Sequence, residues 1–167
     1  APYVDFTTAL AATVGTLAAL TVRARTGQGQ EVKGSLLASA LTIANGALIE
    51  QAVVRPDRVA TMNRSQTQAP SDVFRTTDGW VLIQCIGQPL YKRWAELMGE
   101  TSWLEDPRFA DDRSRGEHSA VISERMAAWC AERTTADALA DLEVARIPAA
   151  PVLSPQQALD DAHVRAA

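Results

Sequence analysis

Residues 4–30 read VDFTTALAATVGTLAALTVRARTGQGQ, and this stretch determines the architecture of the first part of the chain. Its apolar side chains recur at the spacing of an amphipathic helix, at Phe6, Leu10, Val14, Leu17 and Leu20. We therefore predict a helix from Asp5 to Arg25 that stops at Gly27, because glycine is typical of helix C-caps. Asp5 opens this helix, and an aspartate at the head of a helix most often serves as its N-cap.

A second apolar stretch, residues 36–53, carries no charge before Glu50. It predicts another helix, enclosed on several sides because apolar residues fall all around it. The composition then changes, since residues 55–72 are polar, contain prolines and show no sustained period. Such a segment is typical of a linker or of a working loop. Within it, residues 63–70 read NRSQTQAP and are called the polar loop below.

Residues 73–86, VFRTTDGWVLIQCI, contain two β-rich runs on either side of Asp78-Gly79. This pattern predicts a β-hairpin. The next run, QPLYKRWAELMG, predicts a helix that starts near Pro89 and stops at Gly99, with apolar positions at Leu90, Trp94 and Leu97.

Helical patterns continue from residue 106 onward, interrupted by a short extended connection, RIPAAPVLS, at residues 146–154. One predicted helical face carries Val121, Ile122, Met126 and Trp129. Thr134 and Ser154 each precede a helical run at the position of an N-cap.

The totals restrict the classes of function. A chain of 167 residues that is 47% hydrophobic can bury a core, and its formal charge of −4 argues against nucleic acid or an anionic membrane as a partner. The charge-free run from Phe6 to Val22 approaches spanning length, but its threonines and alanines lower its apolarity, so we expect no membrane span. No pattern has metal-ligand spacing, and no metal is expected. Cys85 and Cys130 are read as buried small hydrophobes of a protein in the reducing cytoplasm.

The segment from Asp5 to Leu41 resembles the class III CoA-transferase family, which includes formyl-CoA transferase, carnitine CoA-transferase and alpha-methylacyl-CoA racemase. The resemblance rests on Asp5, on Gly15 ten residues later, and on the RARTGQGQ run. It continues in the same order through the whole chain, by way of Asn63, Ala69-Pro70, Asp78-Gly79, DPRF at residues 106–109, Arg113 and IPAAPVLS at residues 147–154.

The resemblance implies a role for Asp5, because the aspartate at this position in the transferases is the covalent nucleophile. It implies that the substrates are an acyl-CoA and a carboxylic acid, with coenzyme A as the carried group and no metal. Family members form an interlocked homodimer, and their CoA contacts lie mainly in an N-terminal half that this chain lacks. The chain is therefore expected to be an internal fragment that is inactive alone, and its cofactor-binding residues stay unassigned.

The resemblance also implies an α/β fold divided into three segments. Residues 1–56 would be the helical part of the large domain, with its long apolar helices, and residues 57–70 a linker or active-site loop. Residues 71–167 would be a small α+β domain that contains the β-hairpin. In formyl-CoA transferase the stretch matching the polar loop is rich in glycine; here Ser65, Gln66, Thr67 and Gln68 occupy it. Their amides and hydroxyls are candidates to bind the acyl group, and a solvated loop without function is the alternative.

Two other functions stay open. The racemase branch moves the proton alpha to the thioester, and it carries a supporting acid where this chain has Gly87, which counts against that reaction. The second alternative is a non-catalytic module that binds a partner through its apolar helices. These alternatives differ in what they require of Asp5: transfer needs a carboxylate that a thioester can reach.

Overall fold

The computed structural model describes residues 2–53 and 59–166. The chain divides into two compact units, Ala1–Val59 and Ala60–Ala167, and each is described by itself. Helices dominate both, and the second unit carries one small antiparallel sheet.

The first unit contains α1 (Tyr3–Thr26), α2 (Leu36–Ile43) and α3 (Asn45–Val53). The predicted first helix is confirmed, and Gly27 ends it with a left-handed backbone (φ 73°) and an N–H that donates to the Arg23 carbonyl at 2.8 Å. The single helix predicted over residues 36–53 is instead two helices, bent by 65° at Ala44. Asn45 and Gly46 follow the break, and asparagine and glycine both have low helix propensity.

The expectation that the second apolar stretch is enclosed is wrong for this unit. Ser39 is the one buried residue among those described in the first unit, while Leu37 is 69% exposed and Leu10 of α1 is 68% exposed. Helices bury an apolar face only against a second layer of secondary structure. The three helices of this unit and its one return segment supply little of such a layer. By length and composition alone, α1 and the bent α2–α3 pair fall in the range of membrane spans, a range that core helices of soluble proteins share.

Residues 28–35 return along α1 and fit onto its small side chains. A Cβ added at Gly15 would lie 2.9 Å from Cγ1 of Val32, and one added at Gly34 would lie 3.4 Å from Cγ2 of Thr8. The missing side chain of Gly15 therefore makes the room that Val32 occupies. This contact gives a local reason for glycine in the middle of a long helix, where it otherwise costs stability.

The sheet of the second unit consists of β1 (Ser71–Arg75), β2 (Trp80–Gln84) and β3 (Ala149–Pro151), in that order and antiparallel. The predicted hairpin is confirmed, with Val73 opposite Leu82 and with Asp78-Gly79 in the connection. Leu82 in turn lies opposite Ala150 of β3.

Helices cover one face of this sheet and form the core with it. The helical elements of this unit are α4 (Gln88–Met98), two 3₁₀ turns (Thr101–Leu104 and Pro107–Phe109), α5 (Asp112–Glu117), α6 (Ser119–Ala131), α7 (Thr135–Val144), α8 (Pro155–Asp160) and α9 (Ala162–Ala166). Neither α8 nor α9 buries a described residue, so the core forms without them. The largest fully buried apolar side chains of the core are Val81, Ile83, Tyr91, Trp94, Phe109, Ile122, Met126 and Leu142.

Two details of the predicted faces differ. On α6, Val121 is 43% exposed and lies outside the core. On α4, Tyr91 is fully buried, whereas Leu90 and Leu97 lie at the margin of the core. The caps agree with prediction: Thr134 accepts from the amide of Asp137, and Ser154 forms a full capping box with Gln157.

Candidate active site

Asp5 is the third residue of α1 and lies in its first turn. The N-cap interpretation is wrong, because Pro2 precedes the helix and no side-chain cap bond forms there. The carboxylate is exposed, and no group within residues 2–53 and 59–166 binds it. Asp5 is thus an accessible carboxylate in the first turn of a helix.

A small cluster of hydroxyl groups fixes the backbone next to Asp5. The Thr8 hydroxyl donates to the Val4 carbonyl at 2.7 Å and lies 2.8 Å from the Ser39 hydroxyl of α2. Ser35 caps α2 through the amide of Ala38. Because Thr8 is one turn after Asp5, these bonds tie the first turn of α1 to the start of α2.

The polar loop belongs to the second unit and is not a solvated segment. Ser65, Gln66, Thr67 and Gln68 are each half-buried, and Ala69 and Pro70 are buried. The Thr67 amide donates to the Ser65 hydroxyl at 3.2 Å, and the Ser65 amide donates to the Ser71 carbonyl at 2.9 Å. Both the backbone and the side chains of the loop are therefore engaged, and its role in binding the acyl group stays a prediction.

Two glutamines of the polar loop differ in how their side-chain amides are used. Nε2 of Gln66 donates to the Thr61 hydroxyl at 3.3 Å. Oε1 of Gln68 accepts from the Thr67 hydroxyl, and no acceptor for its Nε2 occurs in the part of the chain that the structure describes. Gln68 therefore keeps a donor that can bind an added oxygen ligand.

A buried ion pair in the second unit has no counterpart in the sequence predictions. Arg115 is 1% exposed, and its Nη2 donates to Oδ1 of Asp112 at 2.6 Å. Its Nη1 donates to Oε1 of Gln88 and to the Phe109 carbonyl, and its guanidinium carbon lies 4.5 Å from the centre of the Tyr91 ring. The resemblance pointed instead to Arg113, which lies on the surface and pairs with Glu117. A short, charged run such as DDRSRGEH gives no periodic signal for which arginine faces inward.

Gly87, the position of the supporting acid in the racemase branch, precedes α4 with φ 82°. Its N–H donates to the Asp112 carboxylate at 2.9 Å. Gly87 carries no titratable group, so its contribution is a backbone amide that fixes Asp112.

The two thiols are unsuited to nucleophilic catalysis. Burial raises the pKa of Cys85 to about 12, and burial likewise raises the pKa of Cys130 to about 12. A thiol must ionise to attack, so both behave as small core residues, as the sequence predicted. No group of three or more metal-ligating side chains occurs among the described residues.

Residues 1–167 match the model of CoA-transferase family III, over the whole chain. Among characterised relatives, the succinyl-CoA–D-citramalate CoA-transferase of Chloroflexus aurantiacus is 31% identical over 160 residues, which are 95% of this chain and 40% of that protein. The formyl-CoA:oxalate CoA-transferase of Rhodopseudomonas palustris is 28% identical over 97% of this chain and 43% of its own. The chain thus spans about two fifths of the length of the curated relatives it matches.

Solved structures agree on the fold. A hypothetical protein from Mycobacterium tuberculosis matches with a TM-score of 0.76 at 24% identity, over 99% of this chain and 44% of that one. A CAIB/BAIF family protein from Brucella suis matches with a TM-score of 0.70 at 23% identity, over 98% of this chain and 43% of that one.

Proposed function

Because the chain belongs to CoA-transferase family III, we propose that the full-length protein is an acyl-CoA:carboxylate CoA-transferase that works through a covalent intermediate on Asp5. The observation that carries the proposal is the exposed carboxylate in the first turn of α1, at the head of the segment that resembles the family. It has no partner within residues 2–53 and 59–166. A nucleophilic carboxylate must be reachable by the thioester, and this position is exposed.

The reaction conserves the energy of the thioester. An oxygen of Asp5 attacks the donor thioester carbonyl and expels CoA thiolate, which leaves an acyl-aspartyl anhydride. The thiolate then attacks the aspartyl carbonyl, which releases the donor acid and forms a CoA thioester on Asp5. The acceptor carboxylate reverses these two steps, so acceptor acyl-CoA leaves and Asp5 is regenerated. Every step exchanges one activated acyl bond for another, and no outside energy source is required.

We propose short dicarboxylic acids as the substrate class. Relatives are named for transfer from succinyl-CoA to D-citramalate, L-malate and mesaconate, all of which carry two carboxylates. The second carboxylate needs hydrogen-bond donors, and Nε2 of Gln68 in the polar loop is one that the described part of the chain leaves available. The free thiols of Cys85 and Cys130 fit a reducing compartment, so we propose that the protein is cytoplasmic. Because the family resemblance implies an interlocked homodimer, we propose that assembly for the full-length protein.

The decisive experiment detects the intermediate on a named peptide. The full-length protein is incubated with succinyl-CoA alone, digested, and analysed by mass spectrometry for a succinyl or CoA adduct on the peptide that contains Asp5. We expect the adduct in the wild type and in Glu31→Gln, a control at another exposed carboxylate of the same unit. We expect none in Asp5→Ala, and addition of mesaconate or malate should remove the adduct from the wild type.

Three outcomes separate the alternatives. An adduct that persists in Asp5→Ala would contradict the assignment of the nucleophile. Entry of solvent deuterium at the alpha carbon, without exchange of acids, would identify a racemase instead. A protein that forms no adduct, exchanges no acids and incorporates no deuterium would be the non-catalytic module.

A further inference from the structure

The polar loop crosses α5 at its one glycine. A Cβ added at Gly116 would lie 2.7 Å from the carbonyl carbon of Gln66 and 2.8 Å from that of Thr67, and nearer still to the Gln66 carbonyl oxygen. These are backbone atoms, which cannot rotate aside as the end of a side chain can. Any side chain at residue 116 would therefore displace the loop, or the helix beneath it.

The helix beneath the loop is held firmly. Arg115, the residue before Gly116, is fully buried and bonds to Gln88 at the start of α4, to the Phe109 carbonyl and to Asp112. Asp112 also accepts from the amide of Gly87. The start of α4 and the turn at Phe109 are thus tied to α5 through charge-assisted hydrogen bonds, which are stronger than neutral ones.

The loop is held to the sheet near both ends, since the Ser65 amide donates to the Ser71 carbonyl at 2.9 Å and the Cys85 amide donates to the Pro70 carbonyl at 2.8 Å. Its side chains bond to neighbours between residues 61 and 68, and these bonds determine its shape. The middle of the loop, between its anchored ends, also has a limit on how near it comes to α5. The close contact at Gly116 supplies that limit, because the peptide between Gln66 and Thr67 rests against α5 where a side chain would otherwise stand.

We propose that Gly116 is a positioning residue that sets the depth of the polar loop and thereby determines which carboxylic acids the enzyme accepts. This inference rests on the proposed function, since it takes the loop as the acid-binding segment. Gly116 touches no substrate; it acts through the backbone of Gln66 and Thr67. A methyl group at residue 116 would move that peptide by a large part of an ångström, enough to change the distance between an acid and the donor of Gln68.

The test compares Gly116→Ala with Gly46→Ala in the full-length protein. A Cβ at Gly46 would meet nothing within 4 Å, so this variant controls for the change of residue type. For each protein, kcat/KM is measured with a small acid, oxalate, and with a larger one, mesaconate, and the ratio of the two values is taken. A variant that is merely less well folded loses both values in proportion and keeps the ratio, so the ratio reports on position alone.

We expect the ratio to change about tenfold or more in Gly116→Ala and to stay within twofold of wild type in Gly46→Ala, with KM altered more than kcat. Hydrogen exchange at residues 63–70 supplies a readout independent of activity, and it should be faster in Gly116→Ala only. An unchanged ratio together with unchanged exchange would overturn the inference. If the wild type transfers no CoA, the proposed function fails, and exchange at the loop still decides whether Gly116 positions it.

Discussion

The carboxylate of Asp78, in the turn between β1 and β2, accepts two hydrogen bonds from Thr135 at the start of α7: one from its amide at 2.7 Å and one from its hydroxyl at 2.8 Å. A Cβ added at the adjacent Gly79 would lie 2.9 Å from the same hydroxyl oxygen. The hairpin turn and the helix therefore meet without a gap. The aspartate and glycine that predict the turn from sequence also join it to a helix almost sixty residues away.

These bonds make the stability of the second unit depend on Asp78 at neutral pH. The hydrogen bonds from Thr135 lower the pKa of Asp78 below its usual value, so the folded state favours the ionised carboxylate. The stabilisation is present above the pKa of the unfolded state and is lost as the pH falls through the lower folded pKa. We expect Asp78→Ala to lower the melting temperature at pH 7 and to differ less from wild type at about pH 3.

Thr135→Val serves as the graded control for this prediction. It removes the hydroxyl donor but keeps the amide donor, so its loss of stability at pH 7 should be smaller than that of Asp78→Ala. Urea unfolding at both pH values measures the difference. An effect of Asp78→Ala that is the same at pH 7 and pH 3 would show that the charge of this residue does not contribute.

We expect loss of the ion pair between Asp112 and Arg115 to lower stability much more than loss of the exposed pair between Arg113 and Glu117. Asp112→Ala leaves the buried guanidinium of Arg115 without its charged partner, and we expect a loss of about 3 kcal/mol in the free energy of unfolding. Arg113→Ala, on the same helix, breaks a pair whose arginine is 70% exposed, and we expect a loss of less than about 0.5 kcal/mol. Equal losses, measured by urea unfolding of the full-length protein, would contradict the structural importance of the buried pair.

Features that depend on a few adjacent residues could be predicted from sequence. The hairpin at Asp78-Gly79, the stop at Gly99 and the capping box at Ser154 each depend on local backbone preferences, and the structure contains all three. The family could also be predicted, because its motifs follow one another in order along the chain.

Features that depend on distant contacts could not be predicted. Which arginine of α5 is buried depends on the carbonyl and amide groups of Phe109 and Gln88, and the closeness of Gly116 depends on a loop fifty residues earlier. The apolar pattern of residues 36–53 predicted one enclosed helix, yet the bend at Ala44 and the exposure of Leu37 depend on what packs around them. The role of Asp5 remains a prediction that came from the resemblance, since the geometry of its first turn gives only its accessibility.

The polar loop can be tested by charge as well as by position. Gln68→Glu keeps the shape of the side chain but replaces its free donor with a negative acceptor, which should repel the second carboxylate of a dicarboxylic acid. We expect kcat/KM for mesaconate to fall about tenfold more than kcat/KM for a monocarboxylic acid such as acetate. Gln28→Glu, an exposed site of the first unit, is the control for added charge. Similar losses for both acids would argue that the loop does not face the second carboxylate.

Gly15 offers a test of the packing between α1 and the segment that returns along it. Alanine in a helix interior is more favourable than glycine by about 1 kcal/mol, but its Cβ at residue 15 would lie 2.9 Å from Val32, whose branched side chain has little freedom to turn away. We therefore expect Gly15→Ala to destabilise the wild type and to stabilise the Val32→Ala variant by about 1 kcal/mol. Urea unfolding of the four proteins in this cycle measures the coupling. If Gly15→Ala has the same effect in both backgrounds, the close approach of Val32 to Gly15 does not contribute to stability.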